Sequence, residues 1–233
     1  MFYYGVELME VKLINYTRDP EYLVAKSARL CYSAMNIKDL SESLTPEKVK
    51  MLVEKIIGLG HYSVLEHVTF TFAIEGISRV TTHQLVRHRM ASFSQQSQRY
   101  VKLRSEDFPY ITPKSIEKNE DLCRIYQNTI KELDRIYHEF INKGILSEDA
   151  RYILPQAVAT KVIFTANARE LLHVFNLRCC NRAQWEIRAV AKKMLEKVKK
   201  IAPNIFKKGG PPCVSGKCPE GELSCGNPWT RVK

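Results

Sequence analysis

VTFTFAIEGISRVTTHQLVRHRMASFSQQSQRY, residues 68 to 100, changes its period as it runs. Val68, Phe70, Phe72 and Ile74 alternate with Thr69, Thr71 and Ala73, the two-residue period of a strand with one buried face. Residues 77 to 89 read as a helix. Ser92 to Gln98 reads as a polar loop or irregular turn, and Tyr100 to Leu103 as a resumed strand.

Outward from this stretch, strands and helices keep interleaving. Val11 and Leu13 alternate with polar neighbours, and Asp19-Pro20 opens a helical segment, EYLVAKSARLCYSA. Thr45 is placed to cap the next helix, with Pro46 at its first position, one apolar stripe (Val49, Leu52, Val53, Ile56, Ile57) and Gly58 and Gly60 as stop signals. A long amphipathic helix is expected from Ser115 to Lys143, closed by Gly144, and Ser147 is expected to cap a short one. Val158, Val162 and Phe164 suggest a strand, followed by helices from about Asn167 to Cys180 and Ala183 to Ile201. The Gly-rich turn of a dinucleotide-binding βαβ unit is missing from this pattern. The expected class is α+β: a single domain with a mainly antiparallel sheet flanked by helices. Residues 1–206 form that domain, and residues 207–233 read as a Cys, Gly and Pro-rich tail.

With 233 residues and 45% hydrophobic content, the chain is long enough to bury a core. No apolar run reaches the roughly 18 to 20 residues of a membrane span, and MFYYGVELMEVKL carries Glu7 and Glu10 where a signal peptide would be basic and then apolar. A cytoplasmic protein without membrane association is expected. Seven cysteines, an odd number with an adjacent pair at Cys179 and Cys180, argue for reduced thiols. The net charge is +11, and Gly76 to Ser105 holds six Lys or Arg and no acid, so the expected ligands are anionic.

The donors are densest in RHRMASFSQQSQRY (87 to 100): three arginines, a histidine, four hydroxyl side chains and three glutamines. Arginine's planar fork suits phosphate, and adjacent Arg87, His88 and Arg89 repel one another unless an anion lies across them. A nucleic-acid-binding module is the alternative reading, with Phe93 and Tyr100 for stacking.

Arg87-His88-Arg89, seven residues, then Ser97 reproduces an RHR(x7)S signature, and in it the chain resembles the flavin-dependent thymidylate synthases. The resemblance extends to GHYSVLEH (60 to 67), HQLVRHR (83 to 89), ARYILP (150 to 155) and NARELLHVFNLRCCNRAQWEIR (167 to 188). It implies synthesis of thymidylate from deoxyuridylate (dUMP), with methylenetetrahydrofolate as carbon donor, FAD as hydride carrier and NADPH as reductant. It also implies a homotetramer with flavin between subunits, no nucleic-acid partner and no metal.

By the same resemblance, Gln84, Arg87, Gln95, Gln96, Ser97, Gln98, Arg99 and Arg151 are expected at the nucleotide. Arg178 is expected against the uracil, stabilising the enolate that develops as the ring carbon attacks the folate methylene. Arg87, His88, Arg89, Asn167, Arg169, Ser63 and Glu66 are expected at the flavin, and His61 beside it as a catalytic residue. Three positions depart from the pattern of some members: Gln95, assigned to both ligands, stands for Glu, His173 for Asn, and Cys31 for Ser, the last two at flavin positions. No cysteine or serine is expected to bond covalently to the nucleotide. The spacing of Cys213, Cys218 and Cys225 leaves zinc binding and free thiols both open. The residues assigned to chemistry all precede the tail, so truncation after Phe206 is expected to leave flavin content and turnover largely intact.

Overall fold

The computed structural model describes residues 9–103 and 109–229. Residues 1–8 (with Glu7), 104–108 (with Arg104 and Ser105 of the basic segment) and 230–233 lie outside the described residues. Among those described, β1 (Glu10–Tyr16), β2 (Thr69–Ser78), β3 (Ala91–Gln95) and β4 (Ala159–Asn167) form one sheet in the order β1-β2-β4-β3. Its register is antiparallel. The Thr17 N–H donates to Thr69 O and the Ala168 N–H to Val68 O, while Thr71 and Thr165 hydroxyls meet at 3.0 Å. The Gln96 N–H donates to Lys161 O, and Phe93 stacks on Phe164 with centroids 5.2 Å apart. Within β2–β4 and β3–β4, residue numbers fall on one strand as they rise on the other, as antiparallel pairing requires.

The alternation that announced β2 is its burial pattern, with Phe70, Phe72 and Ile74 buried and Thr69 exposed. Phe72 stacks on Phe164, so the two central strands share one apolar face. β3 stands where a loop was expected. Its inward positions are Ala91, Phe93 and Gln95, and only one is large and apolar, so the alternation that marks an edge strand is faint. Tyr100 to Leu103 contains no strand.

Flanking these strands are α1 (Pro20–Leu30), α2 (Ile37–Glu42), α3 (Pro46–Leu59), α4 (Arg79–Leu85), α5 (Lys114–Glu117), α6 (Glu120–Asn142), α7 (Ser147–Ala150), α8 (Ala168–Arg178) and α9 (Trp185–Ile201). Thr45 caps α3 by accepting the Lys48 N–H, and Gly60, at φ 74°, ends it, while Gly58 lies within it. Ile77 and Ser78 belong to β2, and the Ser78 hydroxyl caps α4 by accepting from the Thr81 N–H. The expected long helix is interrupted because Asn119 accepts the Leu122 N–H and restarts the chain as α6. Ser147 is the first residue of α7, and the capping position is Leu146.

The single domain, mainly antiparallel sheet and long amphipathic helix are as the sequence implies. By density of internal contacts the chain divides into two compact units. Among the described residues, one comprises 9–10, 74–87, 94–103 and 109–163, and has a cluster around Ile130 and Val158 with Leu103, Tyr110, Tyr126 and Leu154. The other comprises 11–73, 88–93 and 164–229, and its core packs Phe206 edge-on to Phe70 and Phe175. Within this second unit the tail has fixed contacts. The Trp229 N–H donates to Cys213 Sγ at 3.3 Å, Lys192 lies over the Trp229 ring, and Arg182 pairs with Glu220 at 2.7 Å. Gly210 is required there, since at φ 142° an added Cβ would fall 2.9 Å from Val214 Cγ2. No helix among the described residues is long and apolar enough to cross a membrane.

Candidate active site

Helix α8 carries the most connected group. Asn167 ends β4 and caps the helix, accepting the Glu170 N–H at 2.8 Å. Ala168, Leu171, Val174 and Phe175 are buried at helical spacing, which fixes the rotation of α8 and sets Glu170 and His173 one turn apart. Arg178 is its last residue. His88, from the basic cluster, lies against this helix with its side chain 2% exposed. Its Nδ1 is 3.2 Å from Glu170 Oε1, and its Nε2 accepts the Arg178 Nε–H at 3.0 Å. His173 meets it edge to face at 5.7 Å.

Charge decides what these contacts are. Burial, then the charges of Arg178 and His173, pushes the His88 pKa down to about 4, so the ring is neutral at pH 7. The contact with Glu170 is therefore a neutral N–H donating to a carboxylate and not an ion pair. Glu170's own pKa is raised by burial, against the opposing pull of His173. His88, Glu170 and His173 are also the one group among the described residues whose donor atoms lie close enough to hold a metal ion. With both His88 nitrogens engaged, the arrangement is a hydrogen-bonded array.

Beside it opens a cavity of about 960 Å³, whose wall includes Tyr62, Glu66, Met90, Asn167, Arg169 and His173. Glu66 and Arg169 are paired at its exposed edge. That volume is within the range of cofactor pockets. Cys31, His61, Ser63 and Arg89 are exposed and are not among the lining residues. Cys31 ends α1, its thiol donating to Ser27 O at 3.6 Å, and His61 and Ser63 begin the 3₁₀ turn Tyr62–His67, anchored by buried Leu65.

Of the residues expected at the nucleotide, Arg178 belongs to the same unit as α8, and Gln84, Arg87, Gln95, Gln96, Ser97, Gln98, Arg99 and Arg151 belong to the other. Gln95 donates through Nε2 to Thr82 Oγ1 at 3.1 Å and Thr160 Oγ1 at 3.4 Å, which holds its amide without a charge. The Ser97 hydroxyl accepts the Arg99 N–H at 3.1 Å, shaping a turn that also includes Gln96 and Gln98. Arg99 and Arg151 converge on one residue: Arg99 Nε donates to Glu148 Oε2 at 2.9 Å and Arg151 Nε to Glu148 O at 3.0 Å. Arg79 Nη1 is buried and has no hydrogen-bond partner among the described residues. Burial and the charge of Arg151 lower the Arg79 pKa, which is the setting of a cation that an anion would satisfy.

Glu170, Glu148, Thr82 and Arg79 were absent from the sequence reading. Glu170 lies within NARELLHVF, and Glu148 two residues before ARYILP. An acid between Arg169 and His173 is the signal that marks Glu170.

The fold is shared with a solved chain, the UMP/dUMP methylase PolB from Streptomyces cacaoi bound with 5-Br dUMP. The TM-score is 0.73 over 85% of this chain and 93% of that one, at 22% sequence identity. Proteins named flavin-dependent thymidylate synthase are similar at higher identity: 51% for that of Geobacter sulfurreducens, over 94% of each chain, and 49% for that of Clostridium tetani, over 94% of this chain and 93% of the relative. Residues 12–204 match the family model described as thymidylate synthase complementing protein, and the chain belongs to that family.

Proposed function

We propose that this protein is a flavin-dependent thymidylate synthase, a methyltransferase that converts dUMP to thymidylate with methylenetetrahydrofolate as carbon donor, FAD as flavin and NADPH as reductant. The observation that carries the reading is the roughly 960 Å³ cavity, since Asn167, Arg169, His173 and Glu66 on its wall are four residues that the family resemblance assigns to the flavin. A bound flavin supplies the hydride that completes the methyl group. Asn167, Arg169 and His173 hold it, with Glu66 orienting Arg169, while His88 lies behind them, off the cavity wall and engaged by Glu170 and Arg178.

Arg99, Arg151 and Ser97 hold the nucleotide phosphate, and Arg79, with its buried unpaired donor, adds to the attraction for an anion. The phosphate competes with Glu148 for Arg99. Arg178 stabilises the charge that develops on the uracil carbonyl oxygen as the ring carbon attacks the folate methylene. No thiolate assists: burial pushes the Cys179 thiol up to about 12, and the Ser97 hydroxyl is engaged with a backbone N–H.

A homotetramer with shared flavin sites fits the surface. Tyr32, Met90, Tyr100 and Tyr152 are each 70% or more exposed, and each directly follows a proposed ligand residue. Residues 1–206 form the catalytic domain and 207–233 its appendage.

Purified protein should be yellow with flavin absorbance and should convert dUMP to thymidylate when the folate and NADPH are added. Arg178→Ala should retain flavin and lose on the order of a hundredfold in methyl transfer, the scale for one electrostatic donor. Colourless protein that gains no flavin on reconstitution overturns the reading. So does a dUMP adduct on Ser97, Cys179 or Cys180, found by mass spectrometry of enzyme quenched in turnover.

A further inference from the structure

We propose that Glu170 is a positioning residue for this reaction, acting on Arg178 through His88. The inference rests on the role given to Arg178 above. Arg178 Nε carries one hydrogen, directed at His88 Nε2 over 3.0 Å. Only a lone pair can receive it, so the proton of the neutral imidazole sits on Nδ1. Nδ1 lies 3.2 Å from Glu170 Oε1, which accepts that proton's hydrogen bond. The three side chains form one directed chain, Arg178 to His88 to Glu170, and one assignment of hydrogens satisfies both contacts.

The opposite tautomer would set two N–H groups against each other at Nε2 and turn a lone pair toward the carboxylate. With the His88 ring 2% exposed, water cannot relieve either conflict. Glu170 thus selects the tautomer, and the tautomer holds Nε of Arg178. The remaining four hydrogens of the guanidinium lie on its terminal nitrogens, and their direction follows from the anchored Nε. Glu170 is itself fixed, because Asn167 receives its backbone N–H and its neighbour Leu171 is fully buried. Glu170 also lies on the wall of the roughly 960 Å³ cavity, while its Oε1 is engaged with His88.

Nitrogen-15 spectra of histidine-labelled holoenzyme test the chain directly, with the His88 signal assigned by its loss in His88→Gln. A neutral ring protonated at Nδ1 at pH 7 is expected, and an Nε2–H tautomer or an imidazolium overturns the proposal. In turnover at saturating flavin, Glu170→Leu should keep the KM for dUMP within about twofold and lower kcat by roughly 10- to 100-fold, the range for partners that orient a functional group from behind. Glu170→Gln retains an oxygen that accepts from Nδ1 and should return kcat to within a few-fold of the parent. Unchanged kcat in Glu170→Leu, or equal losses in the two variants, overturns the proposal. If the Leu variant does not fold, the tautomer in Glu170→Gln decides: Nδ1–H supports the chain and Nε2–H overturns it. The tautomer is read independently of chemistry, so normal methyl transfer by Arg178→Ala would sink the role given to Arg178 and leave the hydrogen-bond chain standing.

Discussion

Cys179 and Cys180 are neighbours in sequence with different surroundings. Cys179 is fully buried and its thiol is pushed up to about 12, chiefly by burial, while Cys180 is half-buried. Iodoacetamide at pH 7.5 should label exposed Cys31 and Cys225 in the native protein and leave Cys179 unmodified, and peptide mapping that finds Cys179 alkylated before unfolding would contradict this. His88 gives stability a pH dependence of defined sign. Its folded pKa, about 4, is below the usual 6.5, so the unfolded chain binds more protons between those values. Stability present above pH 6.5 is lost as pH falls toward 4, by at most about 3 kcal/mol. Glu170, with its pKa raised, works in the opposite sense and reduces the net slope. Urea unfolding at several pH values should show the decline, and His88→Gln should flatten it; an equally steep curve in that variant rules out His88 as its source. At this scale the sequence displayed the cations but hid their partners. His88 and Arg178 could be named from motifs, whereas their connection through Glu170 depends on the rotation of α8, which only packing sets.

Elements were legible where one face carries large apolar residues. β2, α3 and α9 show their period plainly, with Phe70 and Phe72, Val49 and Val53, and Ile187 and Val190 at buried positions. β3 did not, because an edge strand that half-buries Ala91, Phe93 and Gln95 and exposes Ser92 and Ser94 has the composition of a loop. The break before α6 turns on the side chain of Asn119, which caps as readily as it sits within a helix. The start of α8 shows what such a cap contributes. Asn167→Ala removes the acceptor of the Glu170 N–H and should lower stability by about 1 kcal/mol, whereas Asn167→Asp should stay within a few tenths. Denaturant midpoints measure both, and equal losses in the two would mean that the cap adds nothing.

For the whole molecule, the net charge of +11 pointed to anionic ligands, and the arginines that cluster at Glu148 and around Arg79 agree with it. The role of the tail could not be read from its composition, because Gly, Pro and Cys suit a loose appendage and a packed strap alike. The structure puts Lys208, Gly210, Pro211, Pro212 and Ser215 on the wall of the roughly 960 Å³ cavity. Truncation after Phe206 therefore removes no proposed ligand but opens one wall, and the shortened protein should lose flavin faster on dialysis than the full chain. Equal retention would show that the wall has no part in holding the flavin. The strand order has a consequence for the order of events during synthesis. β2 ends at Ser78, yet its partner β4 begins only at Ala159. A ribosome that has released β2 must add some eighty further residues before the hydrogen bonds along that edge can close, and until then Phe72 lacks Phe164 and Phe70 lacks Phe206. Folding governed by such distant pairings is slow and leaves the nascent chain exposed to self-association. Chains arrested on the ribosome at residue 150 should be protease-sensitive through β2, and protection should appear only once residue 167 has cleared the exit tunnel.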